Sequence, residues 1–204
     1  MAVSHVEVLV EEPSMEAALR ELLPRLLGDI TFEIYRFQCK DDLLKNLSDR
    51  LRAYQHWLPS DWRIIVVIDR DDDDCHELKQ RLEKSALKAR LRTRTSKKGR
   101  NYQLVNRLAI EELEAWYFGD WKAVRTAYPR VPSSIPEKAK YRNPDTISGG
   151  TWEAFEHLMQ RVGYFRGGLR KIEAARTIAQ HWKPEVNTSR SFQALRNVLI
   201  EIAT

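Results

Sequence analysis

The chain has 204 residues, 43% hydrophobic and 31% charged, with six Trp, seven Tyr and six Phe, which bounds it to a globular chain with a real core and excludes a disordered or fibrous one. No apolar run approaches the roughly 18–20 residues of a membrane span and no secretory leader is visible, while two cysteines, Cys39 and Cys75, are too few for a zinc module or a disulfide scaffold, so a cytoplasmic, non-membrane protein is expected. The net charge of +5 hides a polarity: residues 1–75 carry 9 Lys/Arg against 16 Asp/Glu, residues 76–110 carry 11 against 2, and residues 111–204 carry 14 against 11.

Residues 5–10, rich in Val, predict a first strand, ended by Glu11, Glu12 and Pro13. Ser14 is the expected N-cap of a helix carrying Leu19, Leu22, Leu23 and Leu26, with Pro24 expected to kink or shorten it and Gly28 to end it. Thr31 to Phe37 predict a second strand. Asp41 or Asp42 then caps a helix whose apolar face is Leu43, Leu44, Leu47, Leu51 and Tyr54. Ile64 to Ile68 are five consecutive β-branched residues, the pattern of a strand buried on both faces of a parallel sheet. A helix over about 73–90, a short strand over 91–95, a basic loop over 96–101, a strand over 104–110 and a helix over 111–118 follow. Alternating strands and helices imply an α/β fold with a mostly parallel, Rossmann-like sheet. After Asp120, Pro129, Pro132, Pro136 and Pro144 make an irregular stretch, and helices resume at about 151–162, 169–182 and 189–203. The expected organisation is an α/β core over 1–120 and an α-helical extension over 121–204 packed on it.

Open α/β sheets bind ligands outside the carboxyl ends of their strands. Glu11 and Glu12 follow the first strand, and Asp69-Arg70-Asp71-Asp72-Asp73-Asp74 follows the third. Such a crowd of carboxylates calls for a compensating cation, and Mg²⁺ takes carboxylate oxygens. Asp69 and Asp71 are spaced to reach one ion from a turn, with Glu11 as a third ligand. Asp72, Asp73 and Asp74 are equally well explained as first-turn acids of the next helix. A calcium loop fails because its sixth and twelfth positions hold Asp74 and Gln80. A receiver domain fails because Ile110 is followed by Glu111 and Glu112 rather than lysine. Residues 88–100 hold seven cations and no acid, a run suited to a phosphate backbone; Arg90, Arg92, Arg94, Lys97, Lys98 and Arg100 are its candidate contacts, with a solvated loop or a protein contact as the alternatives. Lys171 is a candidate for stabilising developing negative charge at phosphorus.

Val10-Glu11 after the first strand and Asp69-x-Asp71 after a later one resemble the Toprim domain. The longer resemblance is to a Toprim-like family known as domain of unknown function 4276, related to the overcoming-lysogenization-defect (OLD) nucleases. It runs through Leu9 to Ser14, Val67 to Asp71, Ile110 to Trp116, Tyr164 to Lys171 and Ser189 to Phe192. The resemblance implies that Glu11 is a general acid/base or metal ligand and that Asp69 and Asp71 are the metal pair. It also implies that Glu112 and Glu114 are carboxylates added near the same site. Where Toprim sequences usually place Gly after the glutamate, this chain has Glu12.

The expected function is therefore Mg²⁺- or Mn²⁺-dependent cleavage of a DNA or RNA phosphodiester by Glu11, Asp69, Asp71, Glu114 and Lys171, with Glu112 as a further ligand. By resemblance alone, a role in phage or plasmid defence follows. The chain lacks a Walker A motif, so any ABC/SMC-type ATPase is a separate partner. The alternative is a non-catalytic nucleic-acid-binding or protein-interaction subunit.

Overall fold

A computed structural model describes residues 2–96 and 101–204. Four strands, β1 (His5–Val10), β2 (Thr31–Arg36), β3 (Trp62–Asp69) and β4 (Leu104–Ala109), form an all-parallel sheet in the order β2-β1-β3-β4. The central pair is in register from His5 against Trp62 to Val10 against Val67, and β3 continues until Asp69 faces Ala109 on β4. All strand ends relevant to function therefore lie on one edge of the sheet.

Side-chain alternation along β3 splits the core in two. Ile64, Val66 and Ile68 join Leu9 and the apolar faces of α2 (Lys40–Trp57) and α3 (Cys75–Lys88). Ile65 and Val67 join Val6, Val8 and Val10, α1 (Pro13–Leu27) and the helices that follow β4. Those are α4 (Glu114–Gly119), α5 (Trp121–Ala127), α6 (Thr151–Arg161), α7 (Lys171–Ala179) and α8 (Arg190–Ala203). Three short 3₁₀ turns connect α5 to α6. The segment after Asp120 is thus helical and supplies Phe155, Ile178, Trp182 and Phe192 to the same core that buries Val8 and Val67. No helix among the described residues is long and apolar enough to cross a membrane.

Several local expectations change. Ser14 lies inside α1, not at its cap: Pro13, which lacks an N–H to satisfy, opens the helix, and the Ser14 hydroxyl donates to the Glu12 carboxylate. Pro24 does not shorten the helix; it sits on the helix's exposed face. Helix α2 starts at Lys40, and Asp42 reaches back to accept the Gln38 N–H at 3.0 Å. The expected strand at 91–95 is a single bridge at Thr93. Helix α4 starts at Glu114 rather than 111, because Glu111 takes a left-handed φ of 61°.

Candidate metal and phosphodiester site

The site is assembled by three chain reversals at the carboxyl edge. Strand β1 delivers Glu11, β3 delivers Asp69, and the first residue of α4 is Glu114; all three are buried, at 5%, 4% and 1% exposure. The Asp69 N–H donates to Glu11 Oε1 at 3.3 Å, which holds the first two together. The reversals after β3 and β4 lock to each other: Arg70 N–H donates to Ala109 O at 2.8 Å and Asp71 N–H to Glu111 O at 2.7 Å. The Arg70 guanidinium pairs with the Glu111 carboxylate. Asp71 and Glu111 both have positive φ, 49° and 61°. Non-glycine residues in that region mark strain held by their surroundings, and here two sit side by side on the edge that carries the carboxylates.

Burial leaves these acids poorly solvated and close to one another. Glu11 is pushed up to about 8, first by burial and then by the charges of Asp71 and Glu12, against the opposing pull of Lys40. Asp69 is held well above the usual carboxylate range by burial, then by Glu11, Glu12 and Glu114. Glu114 is pushed up to about 8 by burial, with Lys171 opposing. Lys171, which burial alone pulls down, is raised overall by Glu114, Glu12, Glu112 and Asp69. The Tyr117 hydroxyl, one helical turn beyond Glu114, is also buried and held far above its ordinary value by burial and the same acids.

Five oxygens here have no hydrogen-bond partner: Glu11 Oε2, Asp69 Oδ1, both carboxylate oxygens of Glu114, and Tyr117 OH. Buried polar atoms are normally paired, so a cluster of orphaned oxygens points to a missing partner. Hard divalent cations take such oxygens. As the side chains stand, no group of three or more His, Cys, Asp or Glu among the described residues is arranged to hold a metal ion. The donor chemistry fits the ion; the present rotamers do not enclose one.

The other expected site residues divide. Asp71 lies on the rim, where Lys40 Nζ bonds its Oδ2 at 3.0 Å, Asp73 Oδ2 at 2.6 Å and Arg70 O at 2.7 Å. Asp74 is the N-cap of α3, accepting the His76 and Glu77 N–H groups at 2.9 Å, as the first-turn explanation expects. Glu112 is engaged structurally: its Oε2 accepts from Thr151 N and Oγ1 and from Trp152 N at 3.0, 2.8 and 2.9 Å, capping α6 from outside. Lys171 opens α7, its Nζ 5.2 Å from the Trp152 ring centre, within electrostatic reach of Glu114.

Arg90, Arg92 and Arg94 of the basic run are not beside the carboxylates. Helix α3 carries the chain back to the other edge of the sheet, so Arg90, Arg92 and Arg94 lie near the amino end of β4. There Arg92 donates to Asn101 O at 3.2 Å and Arg94 pairs with Glu201 at 2.8 Å. Lys97, Lys98 and Arg100 lie outside the described residues. Sequence reasoning missed Lys40, the internal cation beside Asp71, whose only signal was a lysine just past the second strand facing an acidic edge. It also missed Tyr117, a core residue whose buried hydroxyl stands among these acids.

The family model described as Domain of unknown function (DUF4276) matches residues 10–200. Among solved structures, the C-terminal region of the Xanthomonas campestris pv. campestris OLD protein is similar at 13% identity and a TM-score of 0.41, over 97% of this chain and 94% of that one. No curated protein matches.

Proposed function

The chain belongs to the family described as Domain of unknown function (DUF4276), and from its carboxylate site we propose that it is a Mg²⁺- or Mn²⁺-dependent phosphodiesterase acting on nucleic acid. One observation carries this: carboxylates from β1, β3 and α4 converge, buried, with oxygens that no group among the described residues satisfies. Glu11, Asp69 and Glu114 are the oxygen donors, drawn together by side-chain rotation, and Asp71 is the rim donor once it leaves Lys40. A divalent cation held by these carboxylates would neutralise charge at the phosphodiester and ease deprotonation of the attacking water.

The chain's own groups supply the rest. With a value near neutrality, Glu11 can hold or release a proton at Oε2. Lys171 brings a positive charge to face an anionic phosphate. The buried Tyr117 hydroxyl can orient a Glu114 oxygen by donating to it. A second reading, a non-catalytic binding subunit, draws on one contact: Lys40 already neutralises Asp71 and Asp73.

Calorimetric titration of the whole chain with Mn²⁺ at pH 8 tests the ligand set. The wild type should bind and Asp69→Asn should not. Absence of wild-type binding at millimolar Mn²⁺ removes the metal from the mechanism.

A further inference from the structure

Strand β4 is an edge of the sheet, and its open side is lined by cations. At the amino end a cleft of about 550 Å³ takes Arg63 and Arg92 into its walls. Arg63 is only 8% exposed and donates to the backbone carbonyls of Ser60 and Trp62, at 3.0 and 2.8 Å. Arg94 follows, its N–H on Leu104 O at 2.9 Å. Further along, a second groove of about 520 Å³ runs between α3, β4 and the start of α8, with Lys79, Arg107 and Arg190 in its walls. That groove ends at Ile110, next to Glu111, whose carbonyl holds the Asp71 turn.

These cations repel one another. Lys79 is pushed down to about 8, by burial first and by the Arg107 charge second. Arg107 is lowered by burial and then by Arg94. The acids nearby are engaged. Asp145 accepts from Arg190 N and Ser191 N at 2.6 and 3.1 Å and from the Ser189 and Ser191 hydroxyls at 2.7 and 3.1 Å. Glu201 pairs with Arg94, and Glu83 stands 3.8 Å from Lys79. A partner strand cannot add to this edge, because Lys79 Nζ and Arg107 Nη1 already occupy the Asn106 carbonyl. Guarding the edge accounts for those two cations, but not for Arg92 and Arg190 in the walls of the two grooves.

We propose that the edge of β4, from Arg92 and Arg94 through Arg107 to Lys79 and Arg190, is a track for a nucleic-acid phosphate backbone that leads to the carboxylate site. Charge complementarity selects this occupant over an acidic protein because the cations succeed one another along β4, Arg94 close enough to act on Arg107 and Arg107 close enough to act on Lys79. Six strand residues rise roughly 20 Å in all, the length of about six phosphates along one strand of duplex DNA. The track rests on the phosphodiesterase reading for its destination, but its binding is measured separately.

The test is fluorescence anisotropy of a short labelled duplex with the full chain, in EDTA, across a KCl series. Replacing Lys79, Arg107 and Arg190 with Gln should flatten the slope of log K against log salt by about 2.7, at about 0.9 per contact, and weaken binding about eight-fold per contact at about 0.1 M salt. Lys79→Arg, Arg107→Lys and Arg190→Lys together should keep the slope. Because Lys79 and Arg107 also hold the Asn106 carbonyl, a second variant changes only the exposed Arg92, Arg94 and Arg190 to Gln, and it should flatten the slope equally. A wild-type slope in this second variant overturns the track, as does a wild type that binds neither a DNA nor an RNA duplex. A variant that keeps the slope but loses a co-purifying protein also overturns it. If the wild type binds with the steep slope yet does not cut with Mn²⁺, the track stands and the phosphodiesterase reading falls.

Discussion

Replacing Glu114 with Gln should stabilise the metal-free protein, and increasingly so as pH rises. Glu114 is 1% exposed, both its oxygens lack partners, and its carboxyl is pushed up from 4.5 to about 8. A carboxyl that is harder to ionise in the folded chain binds its proton more tightly there. Its contribution to stability is therefore greatest below 4.5 and is lost as pH rises through about 8. At about 1.4 kcal/mol for each pH unit, the loss reaches about 5 kcal/mol. For a chain of this length each kcal/mol moves Tm by about 2–4 °C. Gln matches the protonated side chain in size and cannot ionise. Wild type and Glu114→Gln should therefore melt alike near pH 5 in EDTA and diverge by about 10 °C or more by pH 9, with the wild type lower. Saturating Mg²⁺ should narrow the gap by about half, since a ligand at a hundred times its Kd adds about 2.7 kcal/mol to the protein that binds it. Parallel Tm–pH profiles for the two proteins would refute the reasoning, because they would mean that Glu114 ionises as freely folded as unfolded.

Glu112→Ala should remove the external cap of α6 and cost about 1 kcal/mol, seen as a lower Tm with the Mg²⁺-induced gain unchanged; loss of that gain would place Glu112 among the ligands. Gly119→Ala would set a Cβ 2.0 Å from Asn187 Oδ1 and 3.0 Å from Ser189 N, where Asn187 also donates to Trp116 O at 2.9 Å. Urea denaturation should register a loss of about 1–3 kcal/mol, and an unchanged midpoint would show that the junction of α4 and α8 yields. Lys171→Met should lower the metal-free Tm at pH 8 and enlarge the stabilisation by Mg²⁺, because the ammonium opposes the charge of Glu114. An unaltered Tm would place Lys171 outside the electrostatics of the site.

Much of the frame was legible because local patterns agreed with the tertiary structure. Five β-branched residues from Ile64 to Ile68 can be satisfied only by a strand covered on both sides, and the next residue, Asp69, then falls at a strand end by necessity. Glu11 was legible for the same reason. What escaped depends on contacts between distant residues. The role of Glu112 is set by Thr151 and Trp152, 39 and 40 residues away, and no local spacing announces an external cap. Lys40 meets Asp71 only because β2 and β3 flank β1 and end on the same edge. Where Arg90, Arg92 and Arg94 sit was not legible either: the fourteen residues of α3 carry the chain from the acidic turn to the opposite edge of the sheet.

Cleavage of labelled DNA and RNA by the full chain with Mn²⁺ tests the central claim most directly, with Glu11→Gln and Asp69→Asn alongside. The wild type should cut, and EDTA should stop it. Glu11→Gln should keep binding the nucleic acid without cutting, and Asp69→Asn should lose both Mn²⁺ binding and cleavage. Cleavage by Glu11→Gln at the wild-type rate, or Mn²⁺-dependent cleavage surviving in Asp69→Asn, would contradict the claim.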